Sequence, residues 1–229
     1  MEIANDLLIG TWGWSGSGCC AGYYPDDMPE DWQLCYFSNQ HRAVLLPEET
    51  WRSADDSELE QWLEDTDPGF VFVPAFGPDA LDVVSQGQLP DWPAIKRLKQ
   101  QTGCLLAMPS VMQLDQLQWL EPLQASTALC VQLPEAIEAD PQLRDRVAEQ
   151  LCQAGVSVLW DTRTASEPES CGDWLLAIAE AQEPAQLRNL IENLGQWMSP
   201  DRHAVLLFVG EQAPQAAEQA RTLAELMGI

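Results

Sequence analysis

Leu7-Leu8-Ile9-Gly10-Thr11-Trp12 is an apolar run broken only by one hydroxyl, the length of a strand and too short for a buried helix. Seven further runs share its character: Ala43–Leu46, Phe70–Val73, Cys104–Ala107, Ala128–Val131, Val156–Trp160, Trp174–Ala179 and Ala204–Val209. A half-exposed strand alternates apolar with polar residues. Continuous runs mark strands covered on both faces, as parallel sheets require. The runs recur about every 28 residues from Leu7 to Ala204, room for one strand and one returning helix.

The intervening segments carry helix signals. Asp140-Pro141 places a capping residue before a first-turn proline, and Leu143, Val147 and Leu151 form one stripe that Gly155 ends. Pro184 opens a helix through Leu187, Leu190, Ile191 and Leu194, and Pro214 opens the last one, through Leu223 to Gly228. Ser53 with Asp56 reads as a capping box ahead of Leu59 and Trp62. Asp91-Trp92-Pro93 starts a helix that ends near Gly103. Between Trp160 and Trp174 the chain is rich in Ser, Glu and Pro, so an irregular loop is expected there in place of a helix. The expectation is an α/β fold over residues 1–229 as a single domain: an eight-stranded parallel (β/α)8 TIM-type barrel, with that loop between strands six and seven.

Charge narrows the partners. The 36 acidic and 11 basic residues leave a net charge of −25, which repels phosphate backbones and anionic lipid. Nucleic acid and membranes are therefore not expected partners. Acidity as a solubility device is the plainest account of that charge. The opening MEIANDLLIG has no basic region and too short an apolar run for a signal peptide, and no run of about 18 apolar residues exists to span a bilayer. The seven cysteines are odd in number and show no paired C-x-x-C spacing, so no structural metal is expected. Cys104, Cys130 and Cys152 sit in apolar patterns and read as small core residues, which fits a reducing cytoplasm.

One stretch is more specific. Gly10-Thr11-Trp12-Gly13-Trp14-Ser15, then Gly22 and Tyr24-Pro25, resembles the opening of the YecE-like family of barrels, domain of unknown function 72, whose members begin G-T-S-G-W-S and reach G-x-F-Y-P at this distance. Weaker likeness continues through Leu34 to Trp62, Pro68-Gly69-Phe70, Gly103 to Pro109, Val158–Thr162 and His203 to Leu226. The resemblance implies a barrel with any site at the C-terminal strand ends. It also marks departures. The family's V-E-I-N falls on Val44-Leu45-Leu46-Pro47, its third-strand Lys on Ala75 and its Q-L-P glutamine on Ala107. Its E-x-R falls on Gln132 and Pro134, and its R-L-H-G on Ile178, Ala179, Glu180 and Ala181. Asp161 alone is retained. The resemblance thus implies a divergent, non-catalytic paralogue that has exchanged most of a polar pocket for apolar groups.

Barrel chemistry sits where strands end. The carboxylates there are Glu48, Glu49, Glu135, Asp161, Glu180 and Glu211. Asp161 and Glu180, from adjacent strands, are the candidate catalytic pair, as general acid and base or as oxygen ligands of a divalent cation. Scatter of so many acids over a rim is the simpler account. His41 and His203 precede strands and so lie away from the mouth. No Walker loop, nucleophile elbow or dinucleotide fingerprint is present, and no cofactor is identified. The loops after strands seven and eight are acidic, which disfavours a phosphorylated ligand.

The first loop carries Trp12, Trp14, Tyr23 and Tyr24 among four glycines, either an aromatic wall for an apolar, sugar-like or cationic ligand or a plug of core. Cys19 and Cys20 lack a basic neighbour that would activate a thiol. Lys96, Arg97 and Lys99 read as a solvated helix face. The leading expectation is a binding or regulatory barrel, taking a small neutral ligand or a protein partner through Trp12, Trp14, Tyr24 and Gln132. The alternative is a carboxylate-based hydrolase or lyase using Asp161 and Glu180, with or without a divalent cation, on an open pocket beside Trp12 or Trp14.

Overall fold

Every apolar run forms a strand in the computed structural model, which describes residues 7–16, 20, 22–86, 91–112, 117, 120–164 and 171–229. The strands are β1 (Leu8–Trp12), β2 (Ala43–Leu46), β3 (Val71–Phe76), β4 (Cys104–Ala107), β5 (Ala128–Val131), β6 (Ser157–Val158), β7 (Trp160–Asp161), β8 (Trp174–Ala179) and β9 (His203–Phe208). All pair in parallel, in the order β6-β5-β4-β3-β2-β1-β9-β8-β7. The ninth strand comes from the sixth run, which is divided at Leu159. β6 pairs with β5 and β7 with β8, so one extended segment passes its hydrogen bonds from one neighbour to the other. The Leu159 amide still reaches Val131 O at 2.8 Å, and Ser157 Oγ donates to Trp174 O at 2.5 Å. The wall thereby closes as a TIM-type barrel.

The helices are α1 (Gln33–Ser38), α2 (Glu48–Ser53), α3 (Asp56–Glu64), α4 (Pro78–Val84), α5 (Pro93–Arg97), α6 (Glu121–Gln124), α7 (Glu135–Glu138), α8 (Pro141–Gln153), α9 (Pro184–Trp197) and α10 (Ala213–Met227). Asp140 caps α8 through the amides of Gln142 and Leu143, as its sequence position implies. The capping box of α3 is displaced from the expected Ser53 and Asp56. Asp55 accepts from the amides of Ser57 and Glu58, and Glu58 returns a bond to the Asp55 amide. Ser53 instead ends α2, with its hydroxyl bonded to Glu49 O. The helix expected from Pro93 to Gly103 is α5 followed by a 3-10 turn over Leu98–Gln101. Of the irregular loop before β8, residues 165–170 lie outside the described residues; its described flanks are turn and bend.

The barrel interior is filled by Leu8, Leu45, Val73, Leu106, Leu159, Leu176 and Leu207 with smaller residues between them. Cys104 and Cys130 belong to this interior, and burial pushes the Cys130 thiol up to about 12 and Cys104 well above the ordinary range, so both are inert hydrophobes. Gly10 faces the carbonyl of Ala43 so closely that a Cβ would lie 1.6 Å from the oxygen, leaving β1 no room for a side chain. Trp174 lies across the bottom of the interior, over Gly103 and 5.0 Å from the ring of His203. One further cluster packs α9 and α10 on the outer wall, and another packs α3, α4 and α8.

One feature of the outer wall differs from expectation. Cys152 is half-buried rather than core and is disulfide-bonded to Cys171, with Cα atoms 5.2 Å apart. Spacing alone does not reveal such a pair, because the two residues meet only after the chain has passed up β6 and β7 and back. His41 is 1% exposed, shares a 3.2 Å hydrogen bond with the Tyr23 hydroxyl and packs 4.4 Å from the Phe37 ring. Burial, assisted by the positive charge of Arg221, lowers its pKa from 6.5 to about 4. The folded chain thus keeps His41 neutral while the unfolded chain takes up a proton below about 6.5. Its contribution to stability is expected to fall as pH drops from 6.5 to about 4 and to level below that. Denaturant melts of wild type and His41→Gln across that window check this, because the difference between them isolates the imidazole.

Candidate functional site

The C-terminal ends of β1, β2, β3, β4 and β9 surround an open half of the barrel mouth. Trp12, the last residue of β1, stands half-buried at its centre between two adjoining clefts. The larger, about 650 Å³, is bounded by Trp12, Pro47, Glu48, Arg52, Asp79 and Met108. The smaller, about 390 Å³, is bounded by Trp12, Trp14, Pro47, Glu49, Thr50 and Val209. Glu49 and Pro47 line both.

The sequence sets this local geometry. Pro47 ends β2 and precedes α2, so Glu48, Glu49 and Thr50 emerge directly at the rim. Trp51, one residue on, is buried; its indole N–H donates to Ala75 O at 2.7 Å and pins the helix to β3. Arg52 is held by Glu48 at 2.5 Å, one helical turn apart. The Glu48 carboxylate also closes on Gly77, where a Cβ would meet it at 2.8 Å. The wall contributes mainly apolar surface. Leu45, Ala75 and Ile178 all point into the barrel interior and are buried.

The named site residues separate into groups. Trp12 and Trp14 meet at the smaller cleft, but Trp14 is 8% exposed and its ring packs edge-on against Trp62 at 5.1 Å, so it forms a floor. Tyr24 lines neither cleft. Its hydroxyl donates to the Trp14 carbonyl and its ring packs on Tyr23 and Tyr36 at 4.9 and 5.8 Å. Tyr23 and Tyr24 therefore lie against α1, away from the mouth. Gln132 follows β5, exposed, with its amide bonded to Ala107 O, and lines neither cleft. Cys20 is buried, and Cys19 lies outside the described residues.

Asp161 and Glu180 do converge, but on Arg163. The guanidinium meets Asp161 Oδ1 at 2.8 Å and Oδ2 at 2.6 Å and reaches Glu180 Oε1 at 3.3 Å. The Arg163 hydrogen bonds hold the Asp161 carboxyl below its ordinary range against a smaller opposing effect of burial. Asp161 is thereby engaged on both carboxylate oxygens and Glu180 on one. Neither carboxylate borders the clefts at Trp12. The sequence reading overlooked Arg163, although it stands only two residues beyond Asp161, and it overlooked Met108, Asp79 and Val209, whose convergence depends on strand register. No group of three His, Cys, Asp or Glu among the described residues is placed to hold a metal ion. No helix among them is long and apolar enough to cross a membrane.

The same architecture occurs in solved structures. A Thermotoga maritima protein described as DUF72 family superposes with a TM-score of 0.70 at 16% identity, covering 98% of this chain and 100% of its own. An Enterococcus faecalis protein of the same description gives 0.67 at 9% identity, with 99% of each chain covered. At such identities the likeness speaks for the fold alone. No curated protein matches the chain. The model of the family described as "Protein of unknown function DUF72" matches residues 8–167, the span from β1 to just past β7 that carries the Gly10-to-Ser15 opening. That family is the YecE-like one, and this chain belongs to it.

Proposed function

We propose that this barrel is a binding or regulatory protein without catalytic machinery, and that its ligand or partner seats on the Trp12 side of the mouth. The observation that carries the reading is the Arg163 clamp. It engages both oxygens of Asp161 and one of Glu180, the carboxylates that would otherwise supply acid and base, while the clefts are open at the aromatic side. The burial of Leu45, Ala75 and Ile178 in the interior supports it, because catalytic groups at those positions would have faced the mouth. Small neutral ligands and a protein surface both suit a wall of Trp12, Pro47, Met108 and Val209. A cytoplasmic location belongs to the same proposal: Cys35, Cys104 and Cys130 are free thiols, whereas the Cys152–Cys171 bond weighs against it.

Asp161→Asn tests the reading. It is expected to remove the ion pair at a cost of about 1 kcal/mol or less, since Arg163 is nearly half exposed. Neither wild type nor variant should gain thermal stability from Mg²⁺, Mn²⁺ or Ca²⁺. A cation-dependent rise in melting temperature that vanishes in Asp161→Asn would move the assignment to carboxylate chemistry.

A further inference from the structure

We propose that the smaller cleft, between Trp12 and the Gly210 turn, binds a small organic cation with a methylated ammonium head. The proposal deepens the reading of the mouth as a binding site and rests on it. Trp12 offers a half-buried indole on one side and Trp14 lies beneath, so the lining carries aromatic surface, whose negative ring faces attract a cation. Glu49 is the one ionisable side chain on this cleft among the described residues, and its carboxylate has no hydrogen-bond or ion-pair partner among them. In the adjoining cleft Arg52 is spent on Glu48, which leaves Asp79 and Glu49 uncompensated. The whole mouth is therefore a negative field over aromatic surface, on a chain of net charge −25.

A choline-type head suits the apolar part of this lining. A methylated ammonium has no N–H donor to satisfy and gives its charge to ring faces and to Glu49, while the hydroxyl of the same molecule has the Ser15 and Thr50 hydroxyls to pair with. A volume of about 390 Å³ is ample for a molecule of choline size. An anion on the same molecule would meet Glu49, so a zwitterion such as glycine betaine is disfavoured.

Titration calorimetry and thermal melts on the whole chain test this with choline, its uncharged carbon isostere 3,3-dimethylbutan-1-ol and glycine betaine, each against equal ionic strength of KCl. Choline at about 100 mM, a hundredfold above a millimolar dissociation constant, is expected to raise the melting temperature by several degrees. The isostere and betaine should bind at least about tenfold more weakly. Trp12→Leu and Glu49→Gln should each weaken choline by about fivefold to tenfold. Glu49 is exposed, so the second variant reports even where the first melts early. Equal binding of choline and the isostere, equal loss of both in Trp12→Leu, or no shift with choline overturns the cation assignment. None of these touches the Asp161 experiment, so the two failures are separable.

Discussion

Trp51→Ala is expected to lower stability by about 4 kcal/mol, seen as a fall in melting temperature of about 8–16 °C. Trp51 is 1% exposed and stacks 5.0 Å from Phe76 and 5.1 Å from Trp92, so truncation leaves a large void between α2, β3 and the α5 region. The neighbours are themselves ring systems and cannot collapse into it. The same change strands the Ala75 carbonyl, which now accepts the indole N–H. Trp51→Phe keeps most of the volume and should lose only about 1–2 kcal/mol, chiefly that hydrogen bond. Because Glu48, Glu49 and Thr50 ride on the same short helix, ligand affinity at the mouth should fall in the alanine variant and largely survive in the phenylalanine one. Chemical denaturation with both variants separates packing from hydrogen bonding.

Reduction of Cys152–Cys171 is expected to lower stability by about 3 kcal/mol, or about 6–12 °C, from the loop entropy released on cutting a bridge that spans 19 residues. The bond matters more here than its length suggests. It spans β6 and β7, each paired to its neighbour through only two residues, and it fastens the end of α8 to the segment entering β8. Gly172, beside Cys171, packs against Ser157 of β6, where a Cβ would lie 2.5 Å from the hydroxyl. The reduced protein should therefore lose amide-exchange protection first at Ser157 to Asp161, with β1, β2 and β9 protected longest. Melts with and without reductant, alongside a Cys152→Ser, Cys171→Ser double variant, measure it. A double variant as stable as the oxidised protein would assign the bridge no structural role.

The sequence exposes this fold because its signal is redundant. Continuous apolar runs at even spacing give strands, and Asp140-Pro141 and Pro184 give helix starts, each through chemistry local to a few residues. What it conceals is set by register and by distance along the chain. The box around α3 lies two residues from where Ser53 suggests, because Asp55 and Ser53 are both competent caps and only the helix axis chooses between them. The site shows the same limit. Trp12 is legible as the end of a strand, but its clefts are made by Pro47 just after β2, Glu49 on α2 and Val209 just after β9, brought together by barrel closure. Tyr24 is unreadable for a related reason: the loop's direction depends on the hydrogen bond its hydroxyl gives Trp14 O.

The division at Leu159 has a further meaning. Followed through its hydrogen-bonded neighbours, the wall begins with β6 and ends with β7, so its two edges are consecutive pieces of one strand, one residue apart. Edge strands ordinarily offer a row of unpaired amides to any other chain that carries one. Here each edge is two residues long and covalently tethered to the other. A second molecule finds no ledge on which to add a strand, and the ring is guarded against fibrillar growth by connectivity itself.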